Sequence, residues 1–176
     1  MSAHPLRPTD PEAAKIWDIA ATVPDPEIPV ISIADLGILR SADCMDNTAV
    51  VTITPTYSGC PAMEHITADI TRALTDAGYV NARVELVLQP AWTTDWMTEE
   101  GREKLRDYGI APPQHSAGGG RSPGPVKLTL GPPTPIPCPR CGSTDTKNIA
   151  QFGSTSCKAL YTCTSCGEPF DYFKVH

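Results

Sequence analysis

The sequence predicts an α+β protein, a small α/β sandwich joined by a Pro/Gly-rich linker to a short metal-held β module. Three observations indicate this fold class. Strand and helix patterns alternate through residues 1–110, residues 111–135 are dominated by proline, glycine and serine, and two Cys-x-x-Cys pairs follow. The predicted division is therefore a domain over 1–110, a flexible linker over 111–135 and a second domain over 136–176.

Composition and charge restrict the function classes. The chain has 176 residues, a net charge of -6 and a sequence pI of about 5.1. This acidic balance argues against nucleic-acid binding, which depends on clustered Lys and Arg. No apolar run is long enough for a membrane helix. An odd count of seven cysteines, four of them in two pairs, is typical of reduced cytoplasmic chemistry rather than a disulfide framework.

The first half of the sandwich begins with a helix and continues as a hairpin. Pro11 opens a helical segment whose apolar residues, including Ile16 and Trp17, share one face. Residues 37–44 and 49–54 have strand patterns, and Asp46-Asn47 between them predicts a tight turn.

The sequence of the second half of the sandwich predicts a crossover connection between two strands. Pro61 begins a long amphipathic helix that Gly78 ends, and residues 80–88 then alternate apolar and polar side chains as a strand does. A strand, helix, strand order implies a right-handed connection, so this strand should run parallel to 49–54. A last helix follows, beginning near Thr98. In the linker, residues 126–130 are compatible with one isolated strand.

The two cysteine pairs predict a closed tetrahedral metal site. Cys138-Pro-Arg-Cys141 and Cys163-Thr-Ser-Cys166 each place two thiolates on one tight turn, and a glycine follows each pair. A domain this small needs such a metal, because its core alone cannot stabilise it. We expect structural zinc, with iron in the same four-sulfur cage as the alternative. Four thiolates leave no open position, so catalysis is not expected there.

Cys60 is the candidate ligand of the first domain. It lies between Gly59 and Pro61 at the start of the long helix, where the helix dipole should favour thiolate over thiol. A loop thiolate of this kind suits iron or an iron–sulfur cluster. The alternative is a small packing residue that caps the helix. Cys157 is a possible accessory thiol that fits neither cysteine pair.

Three polar residues support the Cys60 hypothesis. Asp25 lies in a proline-rigidified acidic loop, and rigid loops beside a sheet commonly carry function. Asp35 either belongs to the same site or caps a short helical turn. Thr56 lies in the cysteine loop and is placed to hydrogen-bond either the loop or a ligand.

Four motifs carry a resemblance to a known family. Asp25-Pro-Glu-Ile-Pro-Val, Asp35-Leu-Gly and Thr56-Tyr-Ser-Gly-Cys-Pro resemble the MIP18-type iron–sulfur assembly domain, and Trp92-Thr-Thr-Asp-Trp-Met resembles the end of that domain. With a zinc ribbon that ends in Glu168-Pro-Phe-Asp-Tyr-Phe-Lys, the chain resembles the PaaD family, the D components of bacterial phenylacetyl-CoA epoxidase systems. The resemblance implies that Cys60 is the cluster-associated cysteine, with Asp25, Asp35 and Thr56 around it.

The family implies an accessory role in phenylacetate degradation, without catalytic residues of its own. Such a protein would assist the assembly of iron or iron–sulfur centres in the epoxidase, whose oxygenase and reductase subunits would be its partners. A transient cluster would be shared across a homodimer, because one cysteine per chain cannot hold it alone. The competing hypothesis is a non-catalytic structural adaptor that docks on the oxygenase or the reductase.

Overall fold

The computed structural model describes residues 4–57, 59–114 and 135–174. The chain divides into two compact units between Lys104 and Leu105. Most of the predicted linker, including the possible strand at 126–130, lies outside the described residues, and the predicted domain bounds stay a prediction. Within the described part of the chain, no helix combines the length and apolar character needed to cross a bilayer.

The first unit packs two helices on a three-stranded sheet. Its elements are α1 (Pro11–Ala20), β1 (Leu39–Met45), β2 (Thr48–Ile53), α2 (Ala62–Asp76) and β3 (Ala82–Leu86), in sheet order β1-β2-β3. A 3-10 turn (Thr94–Trp96) and α3 (Glu99–Tyr108) follow, and α3 continues into the second unit. The mixed α/β fold is thus confirmed, with element bounds within a few residues of the predicted ones.

The predicted pairing of the strands is confirmed. β1 and β2 are antiparallel and joined by Asp46-Asn47, both at positive φ, while β2 and β3 are parallel. Ile53 on β2, and Trp17 and Ile66 on the two helices, are almost completely buried, so the sheet and helices share one apolar core. The connection between these two parallel strands contains α2, and Cys60 lies in the loop that joins β2 to α2.

Among its described residues, the second unit forms a four-stranded β-ribbon. Its strands are β4 (Ile110–Ala111), β5 (Thr146–Ala150), β6 (Lys158–Cys163) and β7 (Pro169–Phe173), in sheet order β4-β7-β6-β5. β4 runs parallel to β7, and the other neighbours are antiparallel. Its core cluster is small, and Phe170 and Tyr172 are the largest side chains in that cluster. So small a core needs another source of stability.

Candidate functional site

The four paired cysteines converge on one point of the second unit. The Sγ atoms of Cys138, Cys141, Cys163 and Cys166 all lie within 4.8 Å of one another. Cys138 Sγ is 3.8 Å from Cys166 Sγ, and Cys141 Sγ is 3.6 Å from Cys163 Sγ. A tetrahedral zinc with bonds of about 2.3 Å to sulfur sets its ligands about 3.8 Å apart. The cluster therefore fits a single tetrahedral metal ion.

Two equivalent turns hold the cysteines. Gly142 N donates to Cys138 O, and Gly167 N donates to Cys163 O, each at 2.9 Å. Both glycines have positive φ, which lets the chain reverse directly after each pair. The turns are also joined to each other, because Ser143 Oγ lies 2.8 Å from Ser165 Oγ. The backbone turns and the serine contact thus bring the four sulfurs together.

The thiols of this cluster compete for ionisation. The Cys166 amide lowers the pKa of Cys163 to about 7. At Cys166 the Glu168 amide acts in the same direction, but the neighbouring thiols, Cys163 first, raise the pKa to about 12. Four thiolates this close repel one another, so a bound cation is needed to keep all of them deprotonated. The donor set, all sulfur and closed, suits zinc in a structural role.

Cys157 is separate from the metal cluster. Its buried Sγ lies 3.0 Å from Thr155 Oγ1. The adjacent Lys158 is buried too, and its Nζ lies 3.4 Å from an oxygen of Asp171. This ion pair joins β6 to β7 beside the thiol. The accessory role of Cys157 stays a prediction.

Cys60 lies in the loop between β2 and α2 and is half-exposed. Cys60 N donates to Tyr57 O at 3.3 Å, and Met63 N donates to Cys60 O at 3.3 Å, so the loop leads directly into the helix. Pro61 is the N-cap residue of α2, and the helix begins at Ala62. The thiol is therefore one position farther from the helix than expected, yet it remains partly open to solvent.

The expectation that the Cys60 thiolate is favoured holds for the helix start alone and not for the surroundings of the thiol as a whole. Burial is the largest cause and raises the pKa of the Cys60 thiol above its ordinary value. The Ala62 amide and a hydrogen bond from the Tyr57 side chain oppose this shift, but the charges of Glu27 and Asp25 add to it. The helix start does act in the expected direction, and the other effects outweigh it.

The acidic loop is the neighbour that the structure brings to Cys60. Asp25 is buried, and its Oδ1 accepts from Glu27 N at 2.8 Å and from Ile28 N at 2.9 Å. Asp25 N in turn donates to Ile31 O, which closes the loop. The sequence predicts the acidic loop Asp25-Pro26-Glu27 as a candidate site, and the charges of Glu27 and Asp25 both act on the thiol.

Asp35 belongs to a different set of contacts. Its carboxylate accepts from Ser32 Oγ at 2.9 Å and pairs with Lys104 Nζ at 2.9 Å. Asp35 O also accepts from Thr98 N at 2.8 Å, at the start of α3. This geometry favours the capping alternative for Asp35. Thr56 is half-buried in the Cys60 loop, and its contribution to the site stays a prediction.

Comparison with known proteins agrees with this two-part architecture. Residues 13–86 match the family model described as "Iron-sulfur cluster assembly protein", and residues 122–174 match the model described as "PaaD zinc beta ribbon domain". By class, the chain is an iron–sulfur cluster assembly domain combined with a zinc ribbon.

The relatives define the family more narrowly. A protein of Escherichia coli (strain K12), named as the putative D component of 1,2-phenylacetyl-CoA epoxidase, is 49% identical over 164 residues, which cover 93% of each chain. The chain belongs to this family of D components, the PaaD family. A protein of Porphyromonas gingivalis (strain ATCC BAA-308 / W83) named "Fe-S protein maturation auxiliary factor" is 36% identical over 86 residues, 48% of this chain and 81% of the relative.

Among solved structures, the crystal structure of a domain of unknown function, DUF59, from Bacillus anthracis is similar to this chain. The two share 30% sequence identity with a TM-score of 0.48, and the match covers 52% of this chain and 88% of the other.

Proposed function

We propose that this protein is an accessory maturation factor of a 1,2-phenylacetyl-CoA epoxidase, which assists the assembly of iron or iron–sulfur centres in the oxygenase or reductase subunits. The name of the 49% identical relative supports the epoxidase, and the assembly-domain match over residues 13–86 supports maturation. The same proposal locates the protein in the cytoplasm, where its seven cysteines, none of which forms a disulfide, would remain reduced.

The observation that carries the proposal is the surroundings of Cys60. A half-exposed thiol at the start of a helix faces the negative charge of Asp25 and Glu27. These charges disfavour a bare thiolate but attract a cation. Iron that approaches the loop would therefore meet one sulfur donor and a negative field, and its charge would favour loss of the thiol proton. Such a group can accept and release metal as cargo.

One cysteine is too few to hold a cluster. Iron–sulfur clusters are commonly bound by four cysteine thiolates, so Cys60 needs further donors from another chain, either a second copy or the recipient protein. This shortage suits a transfer protein, because a cargo with an incomplete ligand set is easier to release. The zinc ribbon, with its closed site, would hold its own shape and contribute to docking rather than to transfer.

Anaerobic reconstitution tests the proposal. Zinc-loaded protein is incubated with ferrous iron and sulfide, and its visible absorbance and bound iron are measured while zinc content is checked to remain constant. We expect both signals in the wild type and their loss in Cys60→Ala. Cys44→Ala is the matched control, because Cys44 is also a free thiol of the first unit and is exposed. Equal iron binding by Cys60→Ala and wild type would refute the assignment.

The adaptor alternative is favoured by one observation on the ribbon. Ile149 on β5 and Phe152 just after it are 54% and 67% exposed, so the ribbon has two large apolar side chains available for contact with a partner. If docking were the whole function, cells with Cys60→Ser would grow normally on phenylacetate, while an Ile149→Ser, Phe152→Ser variant would not. The maturation proposal requires the Cys60 variant to fail.

A further inference from the structure

β3 ends its sheet with hydrogen-bonding groups unpaired among the described residues. β2 is its one neighbour in the sheet order β1-β2-β3. Ala49 N donates to Asn81 O and Val87 N donates to Ile53 O, so the odd-numbered residues of this segment bond to β2. In a parallel pair the bonding residues alternate along the strand. The N–H and C=O groups of Ala82, Val84 and Leu86 therefore point to the open edge.

One face of this segment is apolar and insufficiently covered. From Val80 to Leu88 every even-numbered residue is apolar: Val80, Ala82, Val84, Leu86 and Leu88. Three of them are exposed, Val80 at 92% and Leu86 and Leu88 at 52% each. Edge strands of monomeric proteins are usually protected by charge, proline or a covering element. The even-numbered side chains of this edge are apolar and give no such protection.

The opposite face carries two charges of opposite sign. Arg83 and Glu85 are two positions apart on β3, and Arg83 Nη2 contacts Glu85 Oε1 within the chain. Both side chains are substantially exposed, at 66% and 38%. Two like charges in these positions would prevent a second strand of the same sequence from pairing here. Opposite charges permit it.

Pairing two copies antiparallel about a twofold axis at Val84 satisfies all three features. Val84 then faces Val84 of the second copy, and Ala82 faces Leu86 of the second copy. Both are hydrogen-bonded pairs, because the backbone groups of these residues point to the open edge. Arg83 faces Glu85 on each side of the axis. Exposed Val80 and exposed Leu88, which flank β3 on either side, come opposite each other when the pairing is extended past the strand ends. The backbone, the apolar face and the charged face are complementary to themselves in one register.

We propose that β3 is a homodimer interface, through which two copies join their sheets edge to edge into one six-stranded sheet. The occupant that fits is a second copy of this chain, because a foreign strand would need the charge order and the apolar spacing of this one. The inference does not rest on the maturation proposal. Such a dimer would also bring two Cys60 thiols into one particle.

Charge reversal tests the interface in the full chain. The mass of the wild type in solution is measured by sedimentation or light scattering across a range of concentrations, and we expect a monomer–dimer equilibrium. Arg83→Glu places like charges opposite each other at both ends of the pairing, and so does Glu85→Arg. Each single variant should weaken the dimer roughly tenfold or more. An equimolar mixture of the two variants should restore it, because each then supplies the charge that the other lacks.

Controls separate the interface from general effects. Arg72→Glu makes the same change of net charge at an exposed position on α2 and should leave the dimer unchanged. Circular dichroism checks that each variant is folded. A wild type that stays monomeric at all concentrations overturns the proposal, and so does a dimer that the reversals do not weaken or the mixture does not restore. Loss of the dimer with iron binding intact would leave the maturation proposal standing, because the two are measured separately.

Discussion

Neighbouring charges and burial together control the Cys60 thiol. Burial raises its pKa first, and the Glu27 carboxylate raises it further. Ionisation, and with it reactivity, should therefore increase only at a pH above that of an ordinary cysteine. This behaviour protects the thiol from adventitious oxidation while no metal is bound, because the thiolate is the reactive form.

The Glu27→Gln variant tests this electrostatic account. Removing one carboxylate removes a cause that raises the pKa, so at neutral pH a larger fraction of Cys60 should be thiolate and alkylation should be faster. Iodoacetamide labelling followed by peptide mass spectrometry between pH 7 and 10 measures the rate at each cysteine. Labelling of Cys44 in the same samples is the internal control and should not change. An unaltered Cys60 rate would show that the carboxylate has no influence.

Asp35 is a structural carboxylate with a definite pH signature. Burial alone would raise its pKa, but hydrogen bonds from Lys104 and Ser32 outweigh burial and hold the pKa below the ordinary 3.8. A depressed pKa means that the ionised form stabilises the fold. The stabilisation is complete above pH 3.8 and is lost as pH falls through the folded-state value.

Asp35→Ala should therefore reduce the free energy of unfolding at neutral pH by roughly 1–3 kcal/mol, because Ser32 and Lys104 lose the carboxylate that accepts their hydrogen bonds. The three tryptophans, Trp17, Trp92 and Trp96, all lie in the first unit, so their fluorescence reports its unfolding in urea. The difference between wild type and Asp35→Ala should shrink in acid. A constant difference down to the lowest pH would mean that the carboxylate charge is not what stabilises this loop.

At the scale of the element, α1 depends on the residue that precedes it. Asp10 is the N-cap, and its Oδ1 accepts from Glu12 N at 3.0 Å and from Ala13 N at 2.9 Å. These amides have no partner inside the helix, so the carboxylate supplies the missing acceptor. The helix in turn places Trp17 in the core of the first unit.

Asp10→Ala should lower the free energy of unfolding by about 1 kcal/mol, the usual loss when a helix cap is removed. Asp10→Asn keeps an acceptor oxygen and should retain most of the stability, so the pair separates the cap from the charge. Urea denaturation followed by tryptophan fluorescence gives both values. Equal stability of Asp10→Ala and wild type would show that solvent replaces the cap without cost.

Local sequence patterns predicted the helices and strands, but they could not predict contacts between residues that are distant in the chain. The strand, helix, strand order predicted the parallel pairing of β2 and β3, and the two Cys-x-x-Cys pairs predicted the four-sulfur cluster. No local pattern joins Lys104 to Asp35, which is distant in the chain. Likewise the Cys60 pKa depends on burial and on Glu27, neither of which is encoded in the Gly59-Cys60-Pro61 spacing.

At the scale of the whole molecule, two different principles stabilise the two units. The first unit has an apolar core built by helices and a sheet, whereas the ribbon has a small core beside four sulfurs. Stability of the ribbon should therefore be linked to metal, while that of the first unit should not.

A strong zinc chelator should unfold the ribbon and leave the first unit folded. We expect a loss of β-sheet signal in circular dichroism, with tryptophan fluorescence unchanged because all three indoles lie before residue 105. Cys141→Ser, which removes one thiolate, should bind zinc more weakly and reach the same state at lower chelator concentration. Cys157→Ser, outside the cluster, is the matched control. Simultaneous loss of both signals would contradict separate stabilisation.

β4 and the hydrogen bond from Gln114 Nε2 to Pro135 O, 2.6 Å long, have a practical consequence for protein engineering. The hydrogen bond holds Gln114 and Pro135, one on each side of residues 115–134 in the sequence, next to each other. A tag, a fluorophore or a whole guest domain inserted between Gln114 and Pro135 would have both of its ends attached to the second unit. The insertion would not alter the connection between the two units, which lies at Lys104 and Leu105. This makes the site suitable for labelling the protein.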